Sequence, residues 1–171
     1  MARQTGAKHK LCRRLGECIW GKPNCPSAKR PFPTGQHGQN QRKKKSVYGM
    51  QLLQKQRVRT HYGLLERQME KTFGEAKRMG GVAGDNFLRI LETRLDNVVY
   101  RAGWASTRPQ AGQFVSHGLV QVNGKRVDIR SYRVKKGDVI SLSPKARDMI
   151  VIQHNLDVLD RSVVGWLETG D

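Results

Sequence analysis

Apolar residues recur along this chain in two rhythms, first a helical period and then alternation. Leu52 and Leu53, with Gln56, predict a helix that opens after Ser46 and stops at Tyr62-Gly63. Leu65, Met69, Phe73 and Ala76, at spacings of four, four and three, predict a second helix from Leu64 to about Met79 with a narrow apolar stripe. Gly80, Gly81 and Gly84 predict a hinge. Asp85 is the expected N-cap of one long third helix, with Leu88, Leu91, Leu95 and Val98 or Val99 on a common face, ending at Gly103. Thr107 is the expected cap of a short fourth helix, because Pro109 then falls in the first turn, where its missing N–H is harmless. Ala111, Phe114 and Val115 give that helix an apolar side, and His117-Gly118 ends it.

The period then changes to two. Val120 and Val122 alternate with polar residues up to Asn123-Gly124, a strong hairpin signal, and Val127 and Ile129 continue on the far side. A second strand pair is expected from Tyr132 and Val134, turning at Lys136-Gly137-Asp138 and returning as Val139 to Leu142. Ile150 to Leu159 is weakly helical, and Val163 to Leu167 is an apolar ending. At the other end Pro23, Pro26, Pro31 and Pro33 lie too close together for a helix to survive, which predicts an arm over residues 1–45. The expected fold class is α+β: a basic extended N-terminal arm, a helical domain, and a small inserted helix-helix-β-hairpin module with a mostly antiparallel sheet. The expected divisions are 1–45 for the arm, 46–84 for the helical part of the main domain, 85–150 for the module and 151–171 for a segment returning to the main domain.

Charge turns this outline toward a partner. The 171 residues hold 32 Lys and Arg against 14 Asp and Glu, a formal net charge of +18. Hydrophobic residues are only 37% and aromatics 6%, so one or two small cores with basic extensions are expected rather than a large packed interior. Such a surface attracts polyanions, and cations spread over loops, helices and turns suit nucleic acid better than the single basic amphipathic helix that a lipid surface selects. No apolar run approaches the roughly 18 residues of a membrane span, and the first thirty residues hold no apolar signal core, so a soluble, cytosolic protein without a membrane partner is expected. Phosphate-loop, dinucleotide-loop, zinc-protease and serine-elbow motifs are all missing from the sequence, which argues against an enzyme and a small-molecule substrate. Glu92, Asp96 and Asp138 sit among cations and are expected in internal charge pairs.

All three cysteines, Cys12, Cys18 and Cys25, fall in the first 25 residues. An odd count in a basic cytosolic chain argues against a disulfide framework and leaves metal ligation or simple thiols. Zinc favours four tetrahedral nitrogen or sulfur ligands, and His9-x2-Cys12 places two on one tight turn. The expected site is one structural zinc held by His9, Cys12, Cys18 and Cys25, with the loop between the last two folding back. Its alternatives are cysteines acting as small buried groups, or His37 as a better ligand.

The run Leu95-Asp96-Asn97-Val98-Val99-Tyr100-Arg101, followed by His117-Gly118-Leu119-Val120-Gln121-Val122-Asn123-Gly124-Lys125-Arg126-Val127, resembles the small RNA-binding module named for ribosomal protein four. Upstream, Pro33-Thr34-Gly35-Gln36-His37-Gly38 resembles the Pro-Pro-Gly-Gln-His-Gly signature of the ribosomal proteins of that name, and Tyr48-Gly49 to Lys55-Gln56-Arg57 resembles the helix that follows it. The resemblance covers essentially the whole chain, which is identified as a member of the bacterial-type small-subunit ribosomal protein four family. It implies primary binding to small-subunit ribosomal RNA, early assembly of the subunit body, contact with neighbouring small-subunit ribosomal proteins and with messenger RNA where it enters, a part in translational accuracy, and a place in cytoplasmic ribosomes. Some family members hold zinc with four arm cysteines and others have none; His9 stands where the first of those cysteines would be. The chain departs from the family pattern at Pro109, Gly112 and Ser116, where members usually carry arginine, and at Thr34, which replaces the second proline of the signature. Synthetases and RNA-modifying enzymes that carry a related module have a further catalytic domain, and a free ribosome-rescue factor would lack the arm and first two helices.

Candidate RNA contacts follow from charge and placement. In the module, Lys125 and Arg126 beside Arg101 and Arg108 predict a convex basic corner for phosphates and 2′-hydroxyls, joined by Arg94, Gln113, His117, Arg130, Lys135 and Lys136. The arm contributes Arg3, Arg13, Arg14, Arg30, Gln36, His37, Gly38, Arg42, Lys43, Lys44 and Lys45, and the helix after it Lys55, Arg57 and Arg59. Tyr100, Trp104 and His117 are candidate stacking groups, the first two weighed more heavily as core caps. Glu66, Glu70 and Glu75 are expected to pair along their helix with Arg67, Lys71 or Arg78, the alternative being an acidic edge for a neighbouring protein.

Overall fold

The computed structural model describes residues 6–21, 24–40, 46–159 and 164–170. The chain forms two compact units, Met1–Glu70 and Lys71–Asp171. In the first, helix α1 (Lys8–Leu15) is followed by the short α2 (Pro26–Lys29) and by α3 (Val47–His61). Helix α1 corrects the expectation of a wholly extended arm. The helix-breaking prolines all follow it, and it ends where Gly16, at φ +77°, donates its N–H to the Cys12 carbonyl at 2.8 Å. Pro26 opens α2 at the position that tolerates a missing donor. Ser46 caps α3, its hydroxyl accepting the Gly49 N–H at 3.1 Å. Cys12, Leu15, Ile19 and Cys25 form a small buried cluster, with Leu11, Cys18, Trp20 and Leu53 packed against it.

Helix α4 (Glu66–Arg78) carries the chain onward to α5 (Ala83–Glu92), α6 (Leu95–Arg101) and α7 (Arg108–Ser116). The single third helix expected from Asp85 to Gly103 is therefore two helices. At the break, the Thr93 hydroxyl donates back to the Arg89 and Ile90 carbonyls at 2.9 and 3.2 Å. The chain then runs beside residues 132–134: Val134 N–H donates to Thr93 at 2.9 Å, and Leu95 N–H donates to Tyr132 at 2.8 Å. Helix α5 starts at Ala83, so Asp85 lies within the first turn instead of capping it. Thr107 does cap α7, accepting the Gln110 N–H, with Pro109 in the first turn.

Strands β1 (Val120–Val122), β2 (Lys125–Arg126) and β3 (Ile140–Leu142) form an antiparallel sheet in the order β2-β1-β3. The hairpin joins Val122 to Lys125 through Asn123 and Gly124, at φ +51° and +76°, the left-handed pair that a tight right-twisted hairpin needs. The second strand pair does not form as expected. Tyr132 and Val134 pair with the α5–α6 break, and β3 lies along β1, with Val122 opposite Ile140. Val120 and Val122 point into a core made with Leu95, Val99, Ala111, Phe114, Val115 and Ile152. Helices α8 (Pro144–Arg147) and α9 (Ile150–Leu159) follow β3. The fold class is α+β. No described helix is long and apolar enough to cross a membrane.

Candidate nucleic-acid interface

In the first unit, the glycine-rich loop at 33–38 is held from α1. Arg13 donates from Nε to the Phe32 carbonyl at 3.0 Å and from Nη2 to the Pro33 carbonyl at 3.2 Å, and its guanidinium stacks on the Phe32 ring at 4.9 Å. Gly38 packs so closely on the Pro33 carbonyl that a Cβ would overlap it, while Gln36 and His37 are exposed beside it. Arg13 thus shapes the loop, and Arg14 and Arg30 are exposed. On α3, Arg57 meets Glu17 at 2.9 Å, and Lys55 and Arg59 both pair with Glu66. Lys55 is raised and Glu66 lowered from their ordinary pKa values, chiefly by the hydrogen bond between them. Arg3 and Arg42 to Lys45 lie outside the described residues.

The same unit gathers the thiols. His9 and Cys12 are three residues apart on one face of α1, and Cys25 immediately precedes α2. Their ligand atoms all lie within 4.8 Å of one another, with Cys25 Sγ 3.5 Å from His9 Nδ1. Tetrahedral zinc with bonds of about 2.0–2.3 Å would place ligand atoms at edges of about 3.3–3.8 Å, so small shifts accommodate the ion. Cys18 is not part of this tight trio, although it is hydrogen-bonded to Cys25. Burial raises the Cys25 thiol, but hydrogen bonds from Ser27, Cys18 and His9 outweigh it and bring the pKa down to about 6. Burial pushes Cys12 up. His37 does not belong to the cluster.

In the second unit the expected cations separate into inward and outward groups. Arg94 corrects the surface reading: it is 8% exposed and donates to both Asp96 oxygens at 3.0 and 2.8 Å, so its charge is spent inside. Arg101 forks onto Glu92 at 3.1 and 2.8 Å, as expected for that acid. Arg108 stacks on Tyr100 at 4.4 Å and donates to Asn97 at 2.8 Å. Asp138 is a turn acceptor instead of an ion-pair acid. It takes the Lys135 N–H and the Asn123 amide, bonds that hold its carboxyl below the usual range. Glu75 pairs with Arg133 and Glu66 with Lys55, so neither chiefly uses the helical neighbours expected of it. Trp104 is half-buried against the core.

The outward group is Gln113, His117, Lys125, Arg126, Lys135 and Lys136, all exposed, and the half-buried Arg130. Arg130 lies across Gly112, where a Cβ would overlap its guanidinium. Lys145, which the sequence reading did not single out, lines one groove with His117 and Arg126. Its signal was the Ser143-Pro144 helix start directly after a strand, which fixes the lysine beside β1.

A basic α+β protein that displays cations from a hairpin and the end of one helix is of the polyanion-binding class. Residues 3–92 match the family described as the ribosomal protein S4/S9 N-terminal domain, and residues 93–140 match the S4 domain. The small ribosomal subunit protein uS4 of Thermoanaerobacter sp. (strain X514) is 52% identical over 174 residues, covering 98% of this chain and 84% of that protein. Those of Brevibacillus brevis and Ruegeria sp. (strain TM1040) are 52% and 46% identical, covering 92% and 98% of this chain and 78% and 82% of their own. The chain belongs to the ribosomal protein S4 family.

Proposed function

We propose that the protein is a constituent of the small ribosomal subunit in the cytoplasm, where it binds small-subunit ribosomal RNA and nucleates assembly of the subunit body. The observation that carries this reading is the placement of exposed Lys125 and Arg126 on a strand joined by a two-residue turn to β1, which is anchored by buried Val120 and Val122. Cations spaced by a paired strand can match the spacing of phosphates and 2′-hydroxyls in folded RNA, whereas cations on a loose chain report only charge. Exposed Arg14, Arg30, Gln36 and His37, with Arg3 and Arg42 to Lys45, extend the contact along the arm. Neighbouring small-subunit ribosomal proteins and messenger RNA where it enters the subunit complete its partners, with a contribution to translational accuracy. The protein works by binding and not by catalysis, without a small-molecule substrate or a membrane.

A hydroxyl-radical footprint of the purified protein on small-subunit ribosomal RNA tests this. Discrete protections are expected that are weaker in the double variant Lys125→Ala/Arg126→Ala, and that random RNA of equal length does not show. Equal affinity for both RNAs would overturn the reading.

A second reading is favoured by the convergence of His9, Cys12 and Cys25: the arm holds one structural zinc, with Cys18 as fourth ligand. Three of the four donors, the His9 imidazole and the buried Cys12 and Cys25 thiols, already stand close enough to share an ion, and Cys18 would have to move in as the fourth. Bound there, the ion would supply folding energy to a part of the chain with little apolar surface to bury.

A further inference from the structure

Cys25 stands between the other two thiols. Its Sγ is hydrogen-bonded to both Cys12 and Cys18, yet Cys18 lies outside the tight group of donor atoms that Cys25 forms with His9 and Cys12. The three also differ in reach. Cys12 is 0% and Cys25 3% exposed, whereas Cys18 is half-buried, on the stretch between Gly16, where α1 ends, and Cys25, which precedes α2. An oxidant arriving from solvent therefore meets Cys18 first, and the thiol already in contact with it is Cys25. Cys12 is held back from this encounter, because α1 carries it and its sulfur takes the Ile19 N–H.

We propose that Cys18 and Cys25 are a peroxide-sensitive pair that closes into a reversible disulfide, and that its closure expels zinc from the arm. The expulsion rests on the zinc reading above; the disulfide does not. Cys18 sulfur attacks the peroxide O–O bond, keeps one oxygen as a sulfenic acid and releases the other as water. Cys25 sulfur then displaces the hydroxyl: the S–S bond forms, the S–O bond breaks, and a second water leaves with the Cys25 proton. Two thiols lose two electrons and two protons, and one peroxide becomes two waters. Thiolates held on zinc react in the same way, with the protons drawn from solvent.

A disulfide no longer offers the two thiolates that zinc requires, which leaves the ion only His9 and Cys12 and releases it. Both remaining donors belong to α1, so the metal link from α1 to the start of α2 is broken. The same helix carries Arg13, which braces the 33–38 loop, so oxidation weakens the support of that loop.

The test uses the full chain, loaded with zinc and treated with hydrogen peroxide. Peptide mass analysis should find one linkage, Cys18–Cys25, with about one zinc released for each disulfide formed. A sulfenic-acid trap such as dimedone should leave its adduct on Cys18. Dithiothreitol with added zinc should restore the starting state. In concentrated urea, where the geometry is gone, Cys12–Cys18 should appear as well, because the two loops are of similar length. A native chain that gives Cys12–Cys25, the same mixture as in urea, or sulfinic acid without any disulfide would overturn the pair. Zinc release without the linkage would overturn the coupling. A chain that holds no zinc but closes Cys18–Cys25 cleanly would overturn the zinc reading and the expulsion, while supporting the disulfide.

Discussion

Arg94 grips Asp96 with two hydrogen bonds, Nε to Oδ1 at 3.0 Å and Nη2 to Oδ2 at 2.8 Å, and the two side chains are only 10% and 7% exposed. Arg130 Nε approaches the same carboxylate at 3.8 Å, so one buried acid orients two arginines, one of them the guanidinium lying across Gly112. The pair sits where α5 gives way to α6, and its geometry depends on that break.

Asp96→Ala should therefore lower the unfolding free energy of the second unit by about 3–5 kcal/mol, the usual effect of leaving a buried charge without its partner. Arg94→Met combined with Asp96→Leu should cost less than either single change, because no charge is then left buried. Urea unfolding followed by fluorescence and circular dichroism measures both; a loss below about 1 kcal/mol in Asp96→Ala would show the pair to be incidental.

Acid should weaken the second unit through Glu75 and Asp138. The hydrogen bond from Arg133 holds Glu75 below its ordinary pKa, and the Lys135 N–H, with Asn123, does so for Asp138. A carboxyl depressed in the folded state adds stability above its unfolded pKa, about 4, and that stability is lost as pH falls through the lower folded value. Melting temperatures from pH about 5 to about 3 should fall less steeply in Glu75→Gln and Asp138→Asn than in the wild type, and both variants should melt earlier at neutral pH. Parallel profiles would exclude these carboxyls as the source.

Elemental analysis of protein prepared without chelator should find close to one zinc per chain. A chelator should release it, free three titratable thiols and reduce the helical signal of α1. His9→Ala and Cys12→Ser should abolish binding. Less than about a tenth of an equivalent, with all thiols freely reactive, would exclude the metal.

Ribosomal RNA affinity should fall by about 10³- to 10⁵-fold between 50 and 200 mM monovalent salt if six to ten phosphates are neutralised. Deleting residues 1–45 should flatten that slope and weaken random and specific RNA alike, whereas Lys125→Ala/Arg126→Ala should weaken specific RNA much more. A salt-independent affinity would rule out the phosphate account.

Wherever a local rule had no competitor, the sequence by itself determined the structure. Asn123-Gly124 forces a left-handed pair and hence a hairpin, Thr107 with Pro109 sets the start of α7, and Ser46 sets that of α3. The net charge of +18 and the family motifs decided the class of partner in the same way. Tertiary structure decided what the one-dimensional pattern leaves degenerate. Residues 85–103 have an unbroken helical period, yet Thr93 and Arg94 leave the helix because residues 132–134 supply hydrogen bonds that the helix would otherwise have kept. Arginines look alike in a sequence, but Arg94 turns inward to Asp96 and Arg13 braces the 33–38 loop. The physical reason is range: capping and turn rules act over three or four residues, while a charge is paired by whatever acid or carbonyl the fold brings beside it from far along the chain.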